Sequence, residues 1–220
     1  MTPTLRHLGA LALIVLSGWM GSAAAQTSSL DQDIATLQKE WALIQYQTPA
    51  ANQEKQYEAL ASRAHQITAR FPDRAEPHVW EGIVISSWAG AKGGLGALNL
   101  VKQAKNEYET AMQIDPKALD GSAMNSLGVL YYKVPGWPLG FGDNAKAEAL
   151  LKDALVINPN GVDPNYFYAD YLVSRKRYSE AGPYIDRALA APARPGRYVA
   201  DAGRKMDAER LRERIKQEGG

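Results

Sequence analysis

The chain contains no cysteine. That excludes disulfides, thiolate catalysis and cysteine-ligated metal sites, and it closes the lipoprotein route, which needs a cysteine at the cleavage site. Histidine is scarce, with three in 220 residues. One of them, His7, falls in a leader-like start. The other two, His65 and His78, have no second ligand at metal spacing. No Gly-x-Ser-x-Gly elbow is present, and two isolated histidines do not assemble a catalytic triad. Charge of one sign is not in excess either: Lys and Arg number 25 against 24 Asp and Glu. No domain-scale basic surplus exists to neutralise phosphates, so nucleic acid is not an expected partner. No segment alternates with period two over a useful length, so no sheet is expected. These absences leave an ordinary stock of apolar residues, 45% of the chain, which is enough for a sizeable core.

What is present begins with a leader. Arg6 and His7 give a positive start, Leu8 to Ser17 is an apolar run, and Ala23-Ala24-Ala25 is a small-residue cleavage site before Gln26. This is the anatomy of a secretory signal peptide. The apolar run is shorter than the roughly 20 residues a spanning helix needs, so cleavage after 1–25 is expected, with no membrane span left. Of the charged groups only Arg6 would be lost, leaving 24 basic against 24 acidic residues. The expected location is the periplasm, or secretion.

The most informative stretch runs from Met124 to Pro159. It opens with Leu127-Gly128-x2-Tyr131 and closes with Ala147-x3-Leu151-x2-Ala154 before Pro159. A second copy of the closing pattern follows as Ala181-x3-Ile185-x2-Ala188, and each of the three pairs is 34 residues apart. Upstream, Gly82 lies ten residues after Pro72, and Ala104-x3-Tyr108-x2-Ala111 ends at Asp115-Pro116. A small residue on one helix lets a second helix come close, alanines do the same from the other side, and proline stops the second helix. The pattern resembles the tetratricopeptide repeat, a pair of antiparallel helices of that period. The resemblance is good over 73–192 and weak elsewhere. It implies an all-α, right-handed superhelical array of helical hairpins with a C-terminal capping helix.

Taken in order, Ser29-x-x-Gln32 is a capping box for a first helix with Leu37, Trp41 and Ile44 on one face, ending at Thr48-Pro49. A second helix, about Gln53 to Arg70, presents Tyr57, Leu60, Ala64 and Ile67 and stops at Phe71-Pro72. Together 26–72 form a degenerate or capping hairpin. The next hairpin opens at Glu76-Pro77, and the last opens at Asp163-Pro164 with Ala169 in the small-residue position. The break at Pro192 to Gly196 leads into a charged helix within 193–220, with Met206, Leu211 and Ile215 on its inner side, as a polar cap over the last open face.

Two hairpins are too long. Gly82 to Ala104 spans 22 positions and Gly128 to Ala147 spans 19, where the ordinary repeat has about 12. The first excess is read as a flexible tip from Trp88 to Gly96. Its glycines do not make a phosphate loop, since Gly-Lys-Ser/Thr is missing and a helix precedes it. The second excess is Pro135 to Gly142, with Asp143 capping the helix that follows. Both tips should emerge on one edge of the array, where Trp88, Trp137 and Phe141, with Leu95 and Leu139, would gather.

In such arrays the first helices line a concave groove. The resemblance places Val79, Ile83 and Ser86, then Asn125, Val129, Tyr132 and Lys133, then Tyr166, Asp170 and Val173 along it. Val79, Ile83 and Ser126 occupy positions where a carboxylate-clamp subtype would need basic or amide groups, so that clamp is not expected. Paired carboxylates such as Glu107 and Glu109, or Asp201 and Asp207, fit polar helix faces. The expected function is therefore a non-enzymatic scaffold for a protein or peptide, with no cofactor or metal. Its partner-binding candidates are Trp88, Tyr132, Lys133, Trp137, Phe141, Tyr166 and Asp170. The alternative is an accessory protein of a periplasmic solute transporter, similar to the T component of tripartite transporters, meeting a solute-binding protein or holding an apolar ligand.

Overall fold

The computed structural model describes residues 20–219, with side chains from residue 29 onward. Among the described residues the regular secondary structure is all helical: α1 (Met20–Gln47), α2 (Ala50–Arg70), α3 (Ala75–Lys92), α4 (Gly94–Ile114), α5 (Ala118–Lys133), α6 (Asn144–Ile157), α7 (Val162–Ser174), α8 (Tyr178–Ala190) and α9 (Tyr198–Gly219). The charged start and apolar run of the expected leader lie outside the described residues. None of the helices is long and apolar enough to cross a membrane.

Consecutive helices pair as four hairpins, and each hairpin packs against the next. The small residues set these crossings. A Cβ on Gly82 would sit 2.5 Å from the Tyr108 ring, and one on Gly128 would sit 2.8 Å from Leu151 Cγ. Both lie inside real van der Waals contact, so α4 and α6 approach as closely as they do because these positions carry no side chain. Ala104, Ala111, Ala147, Ala154, Ala181 and Ala188 are fully buried on the second helices, completing tight crossings of the kind ridges-into-grooves packing favours. The array expected from the sequence is present.

Its ends meet. The odd-numbered helices contact one another in succession, α1 with α3, α3 with α5, α5 with α7 and α7 with α9, and α9 also contacts α1. The inner helices thus form a closed ring of five, with α2, α4, α6 and α8 outside it. The expected terminal helix does cover the last hairpin, packing on α7 and α8, and it also joins α1 of the first hairpin. Its inward face differs in part. Ala200, Asp201, Gly203, Ala208 and Leu211 are buried, while Met206 is 48% exposed. Leu211 and Ile215 pack inward as expected, beside the small Ala200, Gly203 and Ala208, and Met206 falls outside this face.

Two other expectations are corrected. Ser29 does not open a helix, because α1 already runs through it from Met20. In the uncleaved chain the alanines before Ser29 favour helix, so the preceding turn supplies the backbone acceptors that a cap would replace; cleavage before Gln26 would leave Ser29 in the first turn. Nor is Trp88 to Gly96 a flexible tip. The excess lengthens α3 and α4 instead, and only Gly93 (φ 65°) and Gly94 (φ 59°) leave helical conformation between them, a left-handed pair that glycine adopts without cost. The second excess is a true loop. It folds back on itself, with Gly142 N–H donating to Pro135 O at 2.9 Å and Asp143 N–H to Tyr131 O at 2.8 Å. Asp143 then caps α6, accepting from the N–H groups of Ala145 and Lys146.

Candidate functional site

The closed ring surrounds an axial space with two adjoining parts. The inner part, about 140 Å³, is lined by all five inner helices and by the α8–α9 connection. Trp41 and Tyr46 come from α1, Trp80 and Ile83 from α3, Ser122 and Asn125 from α5, Asp163 and Phe167 from α7, and Ala200 and Arg204 from α9, with Arg194 and Arg197 before it. The outer part, about 550 Å³, lies towards the hairpin tips. Ala89, Leu98, Val101, Val129, Leu130 and Val134 give it an apolar wall. Trp41, Ser86, Ser87, Phe167 and Arg204 line both parts, so the two adjoin.

The inner part is the more polar of the two, and its charges are arranged in pairs. Asp163 accepts from Arg204 Nε at 2.9 Å and from Arg194 Nη1 at 2.7 Å. Asp201 accepts from Arg194 Nε at 2.7 Å and from the Arg194 backbone N–H at 2.8 Å. Asp207 accepts from the Tyr46 hydroxyl at 3.1 Å, from Arg204 Nη1 at 3.2 Å and from Arg210. Three aspartates are thus matched by Arg194, Arg204 and Arg210. Burial alone would raise the Asp163 carboxyl, but Arg204 and Arg194 hold it down at about 2. Burial would lower Arg204, yet Asp163 with Tyr46 and Tyr166 around it keeps its proton held more tightly than usual. Burial pushes the Tyr166 phenol up to about 12 against the opposing pull of Arg204. The Arg204 guanidinium lies 4.5 Å from the centre of the Phe167 ring and 4.7 Å from that of Tyr166.

Arg197 is different. Its guanidinium lies over the Trp80 ring at 5.2 Å, and among the described residues it has no carboxylate in hydrogen-bond contact. Burial, and then the like charge of Arg194, weaken its hold on its proton. Also lining the inner part, Trp80 Nε1 and Asn125 Oδ1 are buried and have no hydrogen-bond partner among the described residues, nor has the buried Arg197 Nε. Trp41 Nε1, in contrast, donates to Ser87 Oγ at 2.8 Å.

The candidates named from the sequence divide into three groups. Ile83, Ser86, Asn125, Val129 and Lys133 do line the axial space. Val79 and Val173 are buried in the core. Tyr132, Lys133 and Asp170 meet one another: the Tyr132 hydroxyl donates to Asp170 at 2.7 Å and Lys133 Nζ lies 2.7 Å from the same carboxylate. Tyr132 also packs edge-on against Tyr171, and Tyr166 is half-buried beneath Arg204. This is a contact between α5 and α7 more than a groove surface.

The aromatic cluster expected at the tips does not form. Trp88 is half-buried against the core, Phe141 packs edge-on against Tyr131 with ring centres 5.6 Å apart, and Trp137 stands alone, 90% exposed. The aromatics separate because the lengthened α3 and α4 carry Trp88 on a helix face. The two leucines do share a surface: Leu95 and Leu139, 84% and 67% exposed, both border the mouth of the outer part.

The polar residues weighed for chemistry are held by structural partners. His65 Nδ1 lies 2.9 Å from Glu81, and His78 spans Glu107 at 2.6 Å and Pro72 O at 2.9 Å. Both Glu109 carboxylate oxygens accept from Lys105. No group of three or more acidic, histidine or cysteine side chains among the described residues is placed to hold a metal ion.

Sequence reasoning missed Trp41, Trp80, Phe167, Arg194, Arg197 and Arg204. The signal available was Ala200-x2-Gly203 on α9, small residues at helical spacing, which mark a close crossing where a solvated cap has none. The sequence matches no protein-family model, and no curated protein is detectably similar to it.

Proposed function

We propose that this is a tetratricopeptide-type binding protein of the bacterial envelope, not a catalyst, and that its axial chamber receives an apolar ligand. The observation that carries this is the closure of the inner ring by α9. It fills the concave surface on which an open array would lay a peptide, and leaves in its place a chamber of about 550 Å³ with an apolar wall, within the size range of small-molecule sites. The 34-residue spacing from Ala147 to Ala181 and the glycine-set crossings support the repeat type, and the leader sequence supports the periplasm or secretion. Among the two functions weighed from the sequence, the ligand-holding accessory role is favoured over the peptide scaffold.

Native mass spectrometry of protein purified from its envelope fraction tests this. A bound apolar small molecule, released on unfolding, is the expected result, on a chain beginning at Gln26. Protein that emerges empty and fails to take up an apolar fluorescent probe would overturn the proposal.

One observation favours a protein partner as well. Trp137 and Leu139 stand in water on a folded-back loop beside the chamber mouth, and exposed aromatics of this kind are common interaction anchors. The tip face would then dock a second protein while the chamber holds the ligand.

A further inference from the structure

The two ends of the axial space differ in chemistry, and the difference specifies a ligand class. At the polar end, direct ion pairs match Asp163, Asp201 and Asp207 with Arg194, Arg204 and Arg210, so Arg197 is the surplus charge of the group. It sits over Trp80, whose Nε1 is a buried donor without a partner among the described residues, and lines the same part as Asn125, whose amide oxygen is likewise unpartnered. Trp80 and Asn125 are 4% and 6% exposed. Buried polar groups of this kind are normally satisfied, because an unmade hydrogen bond leaves the cost of removing the group from water uncompensated. Two such side chains lining the inner part, together with a guanidinium that has no carboxylate partner among the described residues, mark a place for a polar group that those residues do not provide. The other end of the same space is apolar.

Resting on the proposal that the chamber holds an apolar ligand, we infer that the ligand is a monocarboxylate with an apolar tail. Its carboxylate lies at Arg197, Trp80 and Asn125, and its tail lies against Leu98, Val101 and Val129. One unpaired guanidinium asks for one negative charge, and its planar fork matches two carboxylate oxygens. The Trp80 indole N–H donates to the same head group. The Asn125 amide contributes its NH₂ after rotation about its terminal bond, since oxygen and nitrogen exchange places there without altering the shape. The carboxylate could belong to a free fatty acid or to the free C-terminus of a short apolar peptide, and the test separates these.

Binding to the intact, delipidated protein is measured by calorimetry with dodecanoate, dodecan-1-ol, and an apolar tripeptide in free-acid and amidated forms. Dodecanoate is expected to bind more tightly than dodecanol. Arg197→Gln is expected to weaken dodecanoate by about 10- to 100-fold, the range of a charge-assisted hydrogen bond, and to leave dodecanol unchanged. Asn125→Ala, on a different element, guards against misfolding at Arg197 and is expected to weaken dodecanoate in the same sense, with melting curves taken for both variants. Tighter binding of the free-acid tripeptide than of dodecanoate would assign the carboxylate to a peptide. Equal binding of dodecanoate and dodecanol, insensitive to Arg197, overturns the inference while the chamber proposal stands: the polar end then holds water only. Failure of every probe to bind overturns the chamber proposal itself.

Discussion

Gly203 of α9 lies against the ring of Tyr46 of α1 so closely that a Cβ there would stand 2.3 Å from Tyr46 Cγ. This contact closes the ring. The Tyr46 hydroxyl continues it by donating to Asp207 one turn further along α9, and burial pushes the Tyr46 phenol well above its ordinary range. The first and last inner helices are therefore held by packing and by a hydrogen bond from the same side chain. Gly203→Val is expected to destabilise by about 1–3 kcal/mol or more, the cost of overpacking a tight site, and to expose α9 to proteolysis before the hairpins. Gly182 on α8 is the control, because a Cβ there meets nothing within 4 Å. Gly182→Ala should raise stability by up to about 1 kcal/mol through helix propensity. Equal melting temperatures for the Gly203 variant and the parent would mean that α9 does not lock onto α1.

The crossing within the third hairpin gives a second test. Gly128 faces Leu151 Cγ at 2.8 Å and the Ala147 carbonyl oxygen at 3.3 Å, measured from the position a Cβ would take. Leu151 is a side chain and can shift; the carbonyl belongs to α6 and cannot shift without moving the helix. Gly128→Leu is expected to destabilise by about 1–3 kcal/mol or more, although helix propensity alone would favour leucine by under about 1 kcal/mol. Thermal melts decide between the two effects.

How much of this was legible follows from the kind of constraint each part imposes. The hairpins were readable because a close crossing repeats its demand every 34 residues, and Ala147, Leu151 and Ala154 recur as Ala181, Ile185 and Ala188. The closure was not, because it is made once. Arg204 is buried by Asp163, 41 positions away, and Tyr46 meets Asp207 across 161 positions. A helix whose inward face carries arginine, aspartate and glycine has the periodicity of a solvated cap. The lengthened α3 and α4 were obscured by glycine-rich composition. Only Gly93 and Gly94 break the helix, while Ala89, Leu100 and Val101 remain buried on either side. The inner chamber was half legible: Ile83, Ser86 and Asn125 were placed on it, and the arginines that define its charge were not.

Acid should loosen the ring through Asp163. Its folded-state value is about 2, against 3.8 for the unperturbed group. A depressed carboxyl stabilises the folded state above its unfolded value, and the contribution disappears as pH falls through the folded value. At about 1.4 kcal/mol per unit the difference amounts to about 2 kcal/mol, present above about pH 4 and lost towards pH 2. Glu148 is lowered to about 2 by Lys152 and, after the opposing effect of burial, by Arg177, and it contributes in the same window. Asp163→Asn is expected to lose about 2 kcal/mol at neutral pH and to flatten, without abolishing, the fall in stability between pH 4 and pH 2. Urea titrations across that range measure both. A variant whose stability falls as steeply with acid as the parent would show that Arg194 and Arg204 do not hold this carboxyl.

Trp137 separates local stability from binding more cleanly than any other aromatic in the chain. The loop that carries it is folded by other groups: Gly140 and Gly142 are pressed against Pro135 O, Phe141 anchors on Tyr131, and Asp143 caps α6. The indole takes part in none of this, and 90% of it is in water. Trp137→Ala is therefore expected to leave stability within about 0.5 kcal/mol, as surface substitutions do. Phe141→Ala removes a half-buried ring that packs against the core and should lower the melting temperature. If the tip face docks a protein, the same Trp137→Ala change should weaken capture of that protein by about 2 kcal/mol or more, the range of interface hot spots. Because the mutant folds as the parent does, lost capture cannot be attributed to unfolding. Capture from an envelope extract that is unchanged by the substitution, with the chamber still able to take up its ligand, would remove the loop from the interface and leave ligand holding as the remaining function.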